Sequence, residues 1–401
     1  MNAATARWRA LPWWARVTVV FLLGRALDTV LLLWQASIEG RNAWTGPHPG
    51  YLQFANIWDG RWYQIIAQYG YPSVLQFDTT GHPEQNAWAF LPVYPLVVKV
   101  VTTLGLSWEV AAVLVTVLSA WGATLIFYKI MRARLRPSTA MYATVLFSVA
   151  PVAALFQVAY AEALFTLLLA AILYLWLKRR FWWMLPLIAL AAFTRPGEVA
   201  LALALGLWVV WRLWRAWRGT EPIRMPELAA SVSATLVALI SGLAWPVIAG
   251  RVTGYANAYT ETELAWRVSY TGWEALVPFT PWVQGAKWWF TLWLHLPAWA
   301  GYLTLGVLIA LGVLMLVAPA GRRLGVELRL WIASYGLYVL AVFFPQSSTF
   351  RILLPLFPAL GVVAAPRSRI YRIAMVVVFV VAQAGWLLLA WTIGDYDWSP
   401  P

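Results

Sequence analysis

Apolar runs of about 20 residues, separated by short basic clusters, recur along this chain. Such a run has the length of an α-helix that crosses the hydrocarbon core of a bilayer, where a helix satisfies its own backbone hydrogen bonds. Charged residues make up only 11% of the chain and hydrophobic residues 62%, whereas about 25% of the residues of a soluble domain are charged. The pattern predicts an all-α polytopic membrane protein and excludes a soluble fold.

We expect one transmembrane domain, residues 1–401, with about 11 transmembrane helices. The predicted spans are residues 15–35, 109–131, 138–157, 161–177, 181–194, 197–214, 228–249, 298–319, 328–345, 350–365 and 371–393. Two long polar segments, residues 36–108 and 250–297, are predicted to be outer loops. The first of these loops is predicted to carry juxtamembrane helices.

Residues 90–106, FLPVYPLVVKVVTTLGL, are apolar enough to cross the membrane, but Pro92, Pro95 and Lys99 interrupt them. If this segment does not cross, most of the 29 lysines and arginines fall on one side of the membrane. If it crosses, every later basic cluster moves to the other side, in conflict with the positive-inside rule. The charge distribution therefore favours an interfacial or re-entrant element at 90–106.

The N-terminal residues Arg7, Arg9 and Arg16 precede the first apolar run, which continues to about Trp34 without an A-x-A cleavage site. This pattern predicts an uncleaved first span with the N-terminus in the cytoplasm. The tail at 394–401, GDYDWSPP, is then expected outside. We therefore expect a multi-pass protein of the plasma membrane whose polar motifs, and hence its active site, lie on the outer face.

The net charge of +13 indicates membrane topology rather than nucleic-acid binding, because the basic residues are dispersed among short loops. The chain has no cysteine, which excludes disulfides, c-type haem and thiolate metal sites. It has no Walker A motif, so ATP-driven pumping has no support. The histidines His48, His82 and His295 show no metal-site spacing, and we predict neither a metal nor another cofactor.

Residues 57–71, IWDGRWYQIIAQYGY, combine charged and amide side chains with tryptophans and tyrosines. Apolar side chains recur there at the helical spacing i, i+3, i+4 and i+7 and belong to Trp62, Ile65, Ile66 and Tyr69. Polar side chains occupy the other side of the same helix and belong to Arg61, Gln64 and Gln68. The segment predicts an amphipathic helix of about ten residues that lies on the outer membrane interface.

Asp59 has two compatible interpretations. It precedes the predicted helix as an N-cap, worth about 1 kcal/mol, while Gly70 and Pro72 end that helix. A carboxylate at the mouth of a membrane cavity can also be tuned by its surroundings to act as a general base. An aspartate that caps a helix also has its carboxylate held in a fixed position, so both interpretations stay open.

Five motifs occur in a fixed order between residue 57 and about residue 360, and their order and spacing resemble those of a known family. The motifs are WDGRWYQIIAQYGYP, AFLPVYPLVVKV, FQVAYAEALFTLLLA, FTRPGEVAL and FRILLPLFP. The family is PIG-V, the second mannosyltransferases of glycosylphosphatidylinositol anchor synthesis, together with their prokaryotic relatives. One departure is TRPGE, where the family more usually has Arg-Ser-Asn or Arg-Pro-Thr, and this leaves the role of Glu198 open.

The PIG-V family belongs to the GT-C class of integral-membrane glycosyltransferases, so the resemblance implies a GT-C fold. That fold has a first span, a large outer loop with juxtamembrane helices and an acidic residue, and many further spans. The resemblance also implies a polyprenyl-phosphate-linked sugar donor, with mannose as the sugar, and an acceptor outside the cytoplasm. Lipid, glycan and protein acceptors all stay open, and the resemblance favours a lipid or glycan acceptor.

Transfer from a lipid phosphosugar requires a base for the acceptor hydroxyl and cations for the leaving phosphate. Asp59 is our candidate for the base in an inverting single displacement. Arg195 and Arg351 lie at the predicted outer ends of spans, where their guanidinium groups could bind phosphate oxygens. Snorkelling or pairing with an acid explains them equally simply. Lys99 is a third candidate for the phosphate.

Three further polar residues are candidates for supporting roles, and they are Arg61, Glu162 and Glu198. Glu162 could orient an arginine or bind sugar hydroxyls, but either glutamate could also be a helix-start charge near the helix dipole. In the second outer loop, Glu261 and Glu263 could contact the acceptor or belong to a solvated loop.

Two other functions fit the same spans. A lipid or glycolipid transporter of the cell envelope also needs an apolar groove for the lipid and arginines. It needs no acidic base on an outer juxtamembrane helix. A non-catalytic subunit of an envelope assembly would keep the spans and could dispense with Asp59. Many transporters show internal repeats, and we find none in this chain.

Overall fold

The computed structural model describes residues 8, 10–42 and 44–393. The regular secondary structure within these ranges is helical, apart from an isolated antiparallel bridge between Phe77 and Pro83. The predicted all-α class is therefore confirmed. The predictions for Arg7, Arg9 and the tail at 394–401 concern residues outside the described ranges.

The described chain contains both long and short helices. The helices of ten or more residues are Trp13–Ile38, Asp59–Tyr69, Val93–Thr102, Trp108–Arg134, Pro137–Ser148, Glu162–Leu177, Phe181–Ala192, Glu198–Trp217, Met225–Thr253, Ala298–Val317, Gly325–Val342 and Arg369–Trp386. The shorter α-helices are Tyr51–Phe54, Ala258–Ala265, Val268–Thr271, Pro281–Trp288, Pro319–Arg322, Thr349–Ile352 and Leu360–Val363. Single turns of 3₁₀-helix lie at Ala87–Ala89, Ala153–Gln157 and Leu354–Ala359, and π-helical turns at Trp289–Trp293 and Leu387–Trp391.

Seven helices of the described chain are long and apolar enough to cross a membrane, which identifies an integral membrane protein. They are Trp13–Ile38, Trp108–Arg134, Glu198–Trp217, Met225–Thr253, Ala298–Val317, Gly325–Val342 and Arg369–Trp391. Each coincides with one of the predicted spans. The predicted count of about 11 spans is not confirmed.

The other four predicted spans are shorter or interrupted. The helix within 138–157 ends at Ser148, and 350–365 is divided into short turns because Pro355 and Pro358 stop a continuous helix. Glu162–Leu177 has 16 residues and Phe181–Ala192 has 12. At 1.5 Å per residue these helices measure about 24 and 18 Å, against about 30 Å for the hydrocarbon core.

The ambiguous segment 90–106 forms a helix of ten residues, Val93–Thr102. It begins directly after Pro92, and Pro95 lies in its first turn, where proline costs no helical hydrogen bond. The helix measures about 15 Å, roughly half the thickness of the hydrocarbon core. Its length therefore agrees with the predicted element that does not cross the membrane.

The chain divides into two compact units. The first unit comprises Met1–Arg61, Val97–Tyr174 and Leu353–Pro401, and the second comprises Trp62–Leu96 and Leu175–Ile352. The helix Asp59–Tyr69, called here the Asp59 helix, contributes residues 59–61 to the first unit. A single domain over 1–401 stays a prediction.

A buried ion pair organises the first unit. Arg25 lies 2.6 Å from Asp28 within the helix Trp13–Ile38, and both side chains are nearly inaccessible to solvent. The Arg25 guanidinium also donates to the carbonyl oxygens of Ser148 and Ala153, at 3.0 and 2.8 Å. These carbonyls lie where the predicted span 138–157 is interrupted, so Arg25 satisfies backbone acceptors that the broken helix leaves open.

In the second unit, the helix Glu198–Trp217 packs against Met225–Thr253 and Gly325–Val342. The approach to the first of these is close, because a Cβ on Gly242 would lie 3.0 Å from the backbone nitrogen of Val199. This packing fixes the start of Glu198–Trp217, which is the part of the helix that carries a predicted site residue.

Candidate active site

Asp59 is the first residue of its helix and only 8% of it is exposed to solvent. The sequence places Asp59 one residue before the helix, so the observed helix starts one residue earlier than predicted. Its side chain still lies at the positive end of the helix dipole. The helix ends as predicted at Gly70, which has a φ of 76° and donates its N–H to Ile66 O at 2.9 Å.

The side of the Asp59 helix that faces the protein includes Asp59 itself. Buried residues of this helix recur at i, i+4, i+7 and i+8 and are Asp59, Tyr63, Ile66 and Ala67, and Gly60 is buried beside Asp59. From the predicted apolar stripe, Ile65 and Tyr69 are instead exposed, by 41% and 81%. Within the second unit, the ring of Tyr63 packs edge-on against Phe90 and Tyr94. Membrane anchoring by the exposed members of the stripe stays a prediction.

Trp58, the residue before Asp59, has a left-handed backbone conformation with a φ of 56°. This conformation is strained for a bulky residue and persists only where its surroundings hold it. Two hydrogen bonds hold this segment, because Trp58 Nε1 donates to Trp391 O at 2.8 Å and Trp391 Nε1 donates to Phe54 O at 3.2 Å. Trp391 is fully buried in the π-helical turn Leu387–Trp391. The backbone that enters the Asp59 helix is therefore fixed by the last span.

Two sequence motifs meet at Asp59 in the first unit. A Cβ on Gly60 would lie 3.2 Å from the Cβ of Ala159, so glycine lets the two backbones approach closely. Ala159 in turn donates its N–H to Ala55 O at 2.8 Å. The N–H of Asp59 donates to the hydroxyl of Tyr160 at 3.3 Å, and Tyr160 is fully buried. Asp59 and Gly60 of the first motif therefore contact Ala159 and Tyr160 of FQVAYAEAL.

The other predicted residues of the first unit occupy different surroundings. Glu162 is the first residue of Glu162–Leu177 and is 2% exposed, which fits its alternative interpretation as a helix-start charge. The Arg61 guanidinium donates to the carbonyl oxygen of Trp44 at 3.1 Å. Lys99 is exposed in the last turn of Val93–Thr102, where a cation also complements the helix dipole.

A second polar cluster surrounds Arg195 in the second unit. Arg195 is half-buried in the turn before Glu198, and Glu198 begins its helix as predicted with 2% exposure. The hydroxyl of Tyr259 hydrogen-bonds to Glu263 and lies within electrostatic reach of Arg195. Burial, reinforced by the Glu263 charge, raises the pKa of Tyr259 well above its usual value, while Arg195 acts in the opposite direction.

Tyr338 belongs to the same cluster. Its hydroxyl lies within electrostatic range of Glu263, Glu198 and Arg195. The structure therefore brings together the predicted pair Arg195 and Glu198 and the outer-loop residue Glu263. The sequence alone did not indicate Tyr259 or Tyr338. Neither tyrosine stands out in a chain with 17 tyrosines, and no motif connects them to FTRPGE.

Arg351 lies half-buried in the short helix Thr349–Ile352 of the second unit. Hydrogen bonds hold the segment around Arg351 on both sides of it. Tyr335 donates its hydroxyl to Ile352 O at 2.8 Å, and Gln346 donates its side-chain amide to the hydroxyl of buried Ser348 at 3.3 Å. Arg351 is therefore carried by an ordered turn rather than by a continuous span.

The candidate residues divide between the two units. Asp59, Arg61, Lys99 and Glu162 belong to the first, and Arg195, Glu198 and Arg351 to the second. Their roles stay predictions. Among the residues that the structure describes, no three histidines or carboxylates form a group that could hold a metal ion.

No family model matches the chain, and no curated protein matches it. Among solved structures it is similar to ArnT from Cupriavidus metallidurans bound to undecaprenyl phosphate, with a TM-score of 0.47 and 16% identity over 86% of this chain. The chain covers 59% of the length of ArnT. It is also similar to the Archaeoglobus fulgidus oligosaccharyltransferase in complex with Zn and sulfate. There the TM-score is 0.40 and the identity 10%, over 92% of this chain and 52% of the other. Similarity at this level assigns no activity.

Proposed function

We propose that this membrane protein is a GT-C glycosyltransferase that moves a sugar, mannose by its PIG-V resemblance, from a polyprenyl phosphate to a lipid or glycan acceptor. Asp59 is the observation that carries the proposal. It is a buried carboxylate on the protein-facing side of its helix, directly after a strained and clamped residue. Buried carboxylates on a strained backbone are concentrated at functional sites.

Localisation follows from the charge distribution of the sequence. The proposed site lies on the outer face of the plasma membrane, and the N-terminus is cytoplasmic. ArnT was solved with undecaprenyl phosphate, a lipid of the class that we propose as the carrier of the donor sugar. The proposal itself rests on the residues of this chain.

The reaction is a single displacement at the anomeric carbon of the donor. The acceptor oxygen forms a bond to that carbon while the bond between the carbon and the phosphate oxygen breaks. The polyprenyl phosphate leaves with the electron pair, and the proton of the acceptor hydroxyl moves to the carboxylate of Asp59. Inversion at the anomeric carbon follows because attack and departure occur on opposite faces. General-base catalysis of this kind contributes about 10²–10⁴-fold to a rate.

Arg195 and Arg351 are proposed to bind the leaving phosphate. A guanidinium group remains charged and presents several donors in a planar fork, so it can bind a phosphate while it contacts a neighbouring acid. The cluster of Tyr259 and Glu263 supplies such a neighbour to Arg195. Lys99 is exposed on a helix end, and the dipole of that helix already accounts for its charge.

The test is the transfer of labelled mannose from polyprenyl phosphomannose to crude lipid acceptors in membranes that contain the chain. Asp59→Asn should lower transfer by about 10²–10⁴-fold and leave donor binding unchanged, because the amide cannot accept the proton. Glu84→Gln, in the same predicted outer loop but exposed, is the matched control and should transfer normally. Equal transfer by wild type and Asp59→Asn would refute the base, whereas no transfer by wild type would favour the transporter.

A further inference from the structure

The first unit contains a polar cavity of about 360 Å³ that the proposed reaction does not use. Its walls come from the loop that follows Trp13–Ile38, from the next short helix and from the Asp59 helix. Residues that line it include Arg41, Asn42, Trp44, Thr45, Gln53 and Arg61. The volume lies at the lower end of the range of small-molecule sites, about 300–1,000 Å³, and suits a ligand the size of one sugar or polyol.

Asn42 builds the wall of this cavity. Its side-chain oxygen accepts the backbone N–H groups of Trp44 and Thr45, each at 2.8 Å, and its amide nitrogen donates to Glu39 at 3.1 Å. An asparagine that closes a turn on its own backbone holds the loop in one conformation. The Asn42 side chain therefore ties Trp44 and Thr45, two further lining residues, to the same wall.

The cavity carries two positive charges and no carboxylate among its lining residues. The bond from Arg61 to the carbonyl of Trp44 holds the Arg61 guanidinium against the wall. Arg41 is exposed and makes no ion pair with any residue that the structure describes. Glu39, which bonds to the lining residue Asn42, is 1% exposed and also accepts the N–H of Ile393.

Gln53 adds a neutral donor to these charges. Its side-chain oxygen accepts the N–H of Gly50 at 3.4 Å, which orients its amide nitrogen as a donor. The cavity thus presents to a ligand the exposed guanidinium of Arg41 and the amide of Gln53, beside the positive charge of Arg61 and the aromatic wall of Trp44. A phosphate ester complements them, because its oxygens only accept and arginine forks bind them in pairs.

We propose that this cavity binds the phosphate ester of a sugar or polyol headgroup carried by the acceptor. Naming this ligand the acceptor rests on the proposed function, whereas the binding itself is measurable without turnover. Arg61 is two residues from Asp59 in the same helix, and residues so spaced project on different sides. A headgroup held at Arg61 would therefore be anchored at a point separate from the base. The phosphate could belong to a membrane lipid or to a soluble molecule.

The experiment measures binding to the full-length chain with two probes. Glycerol phosphate, the soluble probe, is titrated by calorimetry into the chain in phosphatidylcholine nanodiscs. Phosphatidylglycerol, the lipid probe, is counted by native mass spectrometry on the detergent-solubilised chain. Arg41→Gln removes one charge of the cavity, and Arg251→Gln, an exposed arginine elsewhere, is the matched control. Thermal unfolding of each variant establishes that it is folded.

We expect wild type to bind at least one probe and Arg41→Gln to bind it about tenfold or more weakly, as for a lost charge-assisted hydrogen bond. Arg251→Gln should bind like wild type. Binding of phosphatidylglycerol alone identifies a lipid headgroup, and binding of glycerol phosphate identifies a site that also takes soluble esters. The inference is overturned if neither probe binds wild type, or if both variants lose affinity equally.

Transfer assays separate this inference from the proposed function. If transfer is normal and depends on Asp59 but neither probe binds, the proposed phosphate site is refuted and the proposed glycosyltransferase activity stands. If a probe binds in an Arg41-dependent way but the chain transfers no sugar, the phosphate site stands and its role in binding the acceptor is refuted.

Discussion

Trp58 and Trp391 are joined by a hydrogen bond of 2.8 Å from the indole of Trp58 to the carbonyl of Trp391, although 333 residues separate them in the chain. The indole of Trp391 in turn donates a hydrogen bond to the carbonyl of Phe54. Trp391 therefore contacts the segment that leads into the Asp59 helix at two points, Phe54 and Trp58. Trp391 is therefore a positioning residue for Asp59, acting through the backbone of Trp58.

Replacing Trp391 by phenylalanine should lower sugar transfer about tenfold, with donor affinity unchanged. The variant keeps the bond from Trp58 to the carbonyl of residue 391 but loses the bond to Phe54 O, worth about 0.5–1.5 kcal/mol. One of the two contacts that hold the segment around the strained Trp58 is then lost. A catalytic group that shifts slightly loses rate rather than ground-state binding. Separate measurement of donor affinity and single-turnover transfer distinguishes the two effects.

Trp176→Phe is the matched control for this prediction. Trp176 is fully buried and its indole nitrogen has no hydrogen-bond partner within the described residues, so the same substitution removes only packing. Its transfer rate should stay close to that of wild type. If the two variants lose the same rate, Trp391 has no particular role in positioning Asp59.

Gly60→Ala should disturb the contact between the two motifs at Asp59. The new methyl group would lie 3.2 Å from the Cβ of Ala159 and 3.4 Å from its carbonyl oxygen. Overpacking of this kind costs about 1–3 kcal/mol, so we expect a lower unfolding temperature together with reduced transfer. Gly50→Ala, where a Cβ would meet no atom within 4 Å, should change neither measurement. A fully active and stable Gly60→Ala would contradict the close approach.

Sequence patterns predicted the long helices well and the interrupted ones poorly. Hydropathy detects 108–134 because its apolar residues are continuous, whereas 138–157 and 350–365 are equally apolar and yet broken. In 138–157, two buried carbonyls at the break accept hydrogen bonds from the distant Arg25, which no local pattern reveals. Burial inside protein permits such breaks at membrane depth.

The candidate site shows the same division. Asp59 stands out in the sequence because a carboxylate in an aromatic, apolar context needs an explanation. Tyr160 and Trp391 did not stand out, since their contacts with the segment around Asp59 span 101 and 333 residues. Local spacing identified the carboxylate, and only the tertiary structure identified the residues that hold it.

Arg25→Met should destabilise the chain by about 3–5 kcal/mol, because it leaves the carboxylate of Asp28 buried without its cation. The double variant Arg25→Met, Asp28→Leu removes both charges and should recover part of that loss. Unfolding in increasing denaturant, monitored by helical circular dichroism, gives the comparison. A double variant less stable than the single one would show that the pair itself does not determine the cost.

Donor binding tests the proposed phosphate role of Arg351. Arg351→Ala should weaken binding of polyprenyl phosphomannose about tenfold or more, since a charge-assisted hydrogen bond is worth about 1.5–3 kcal/mol. Arg323→Ala removes an exposed arginine that no motif includes and should bind the donor like wild type. Unchanged affinity of Arg351→Ala would leave Arg351 only a structural role in its turn.

Membrane topology is testable by cysteine labelling because the chain has no cysteine of its own. Arg134→Cys, at the end of Trp108–Arg134, should react with a membrane-impermeant thiol reagent only after the cytoplasmic side is opened. Ser73→Cys, exposed in the predicted first outer loop, should react in intact cells. The reverse pattern would place Asp59 on the cytoplasmic side, where the outer-face reaction could not occur. Asp59 and Ser73 belong to the same predicted loop, so labelling of Arg134→Cys and Ser73→Cys shows on which side of the membrane the proposed base lies.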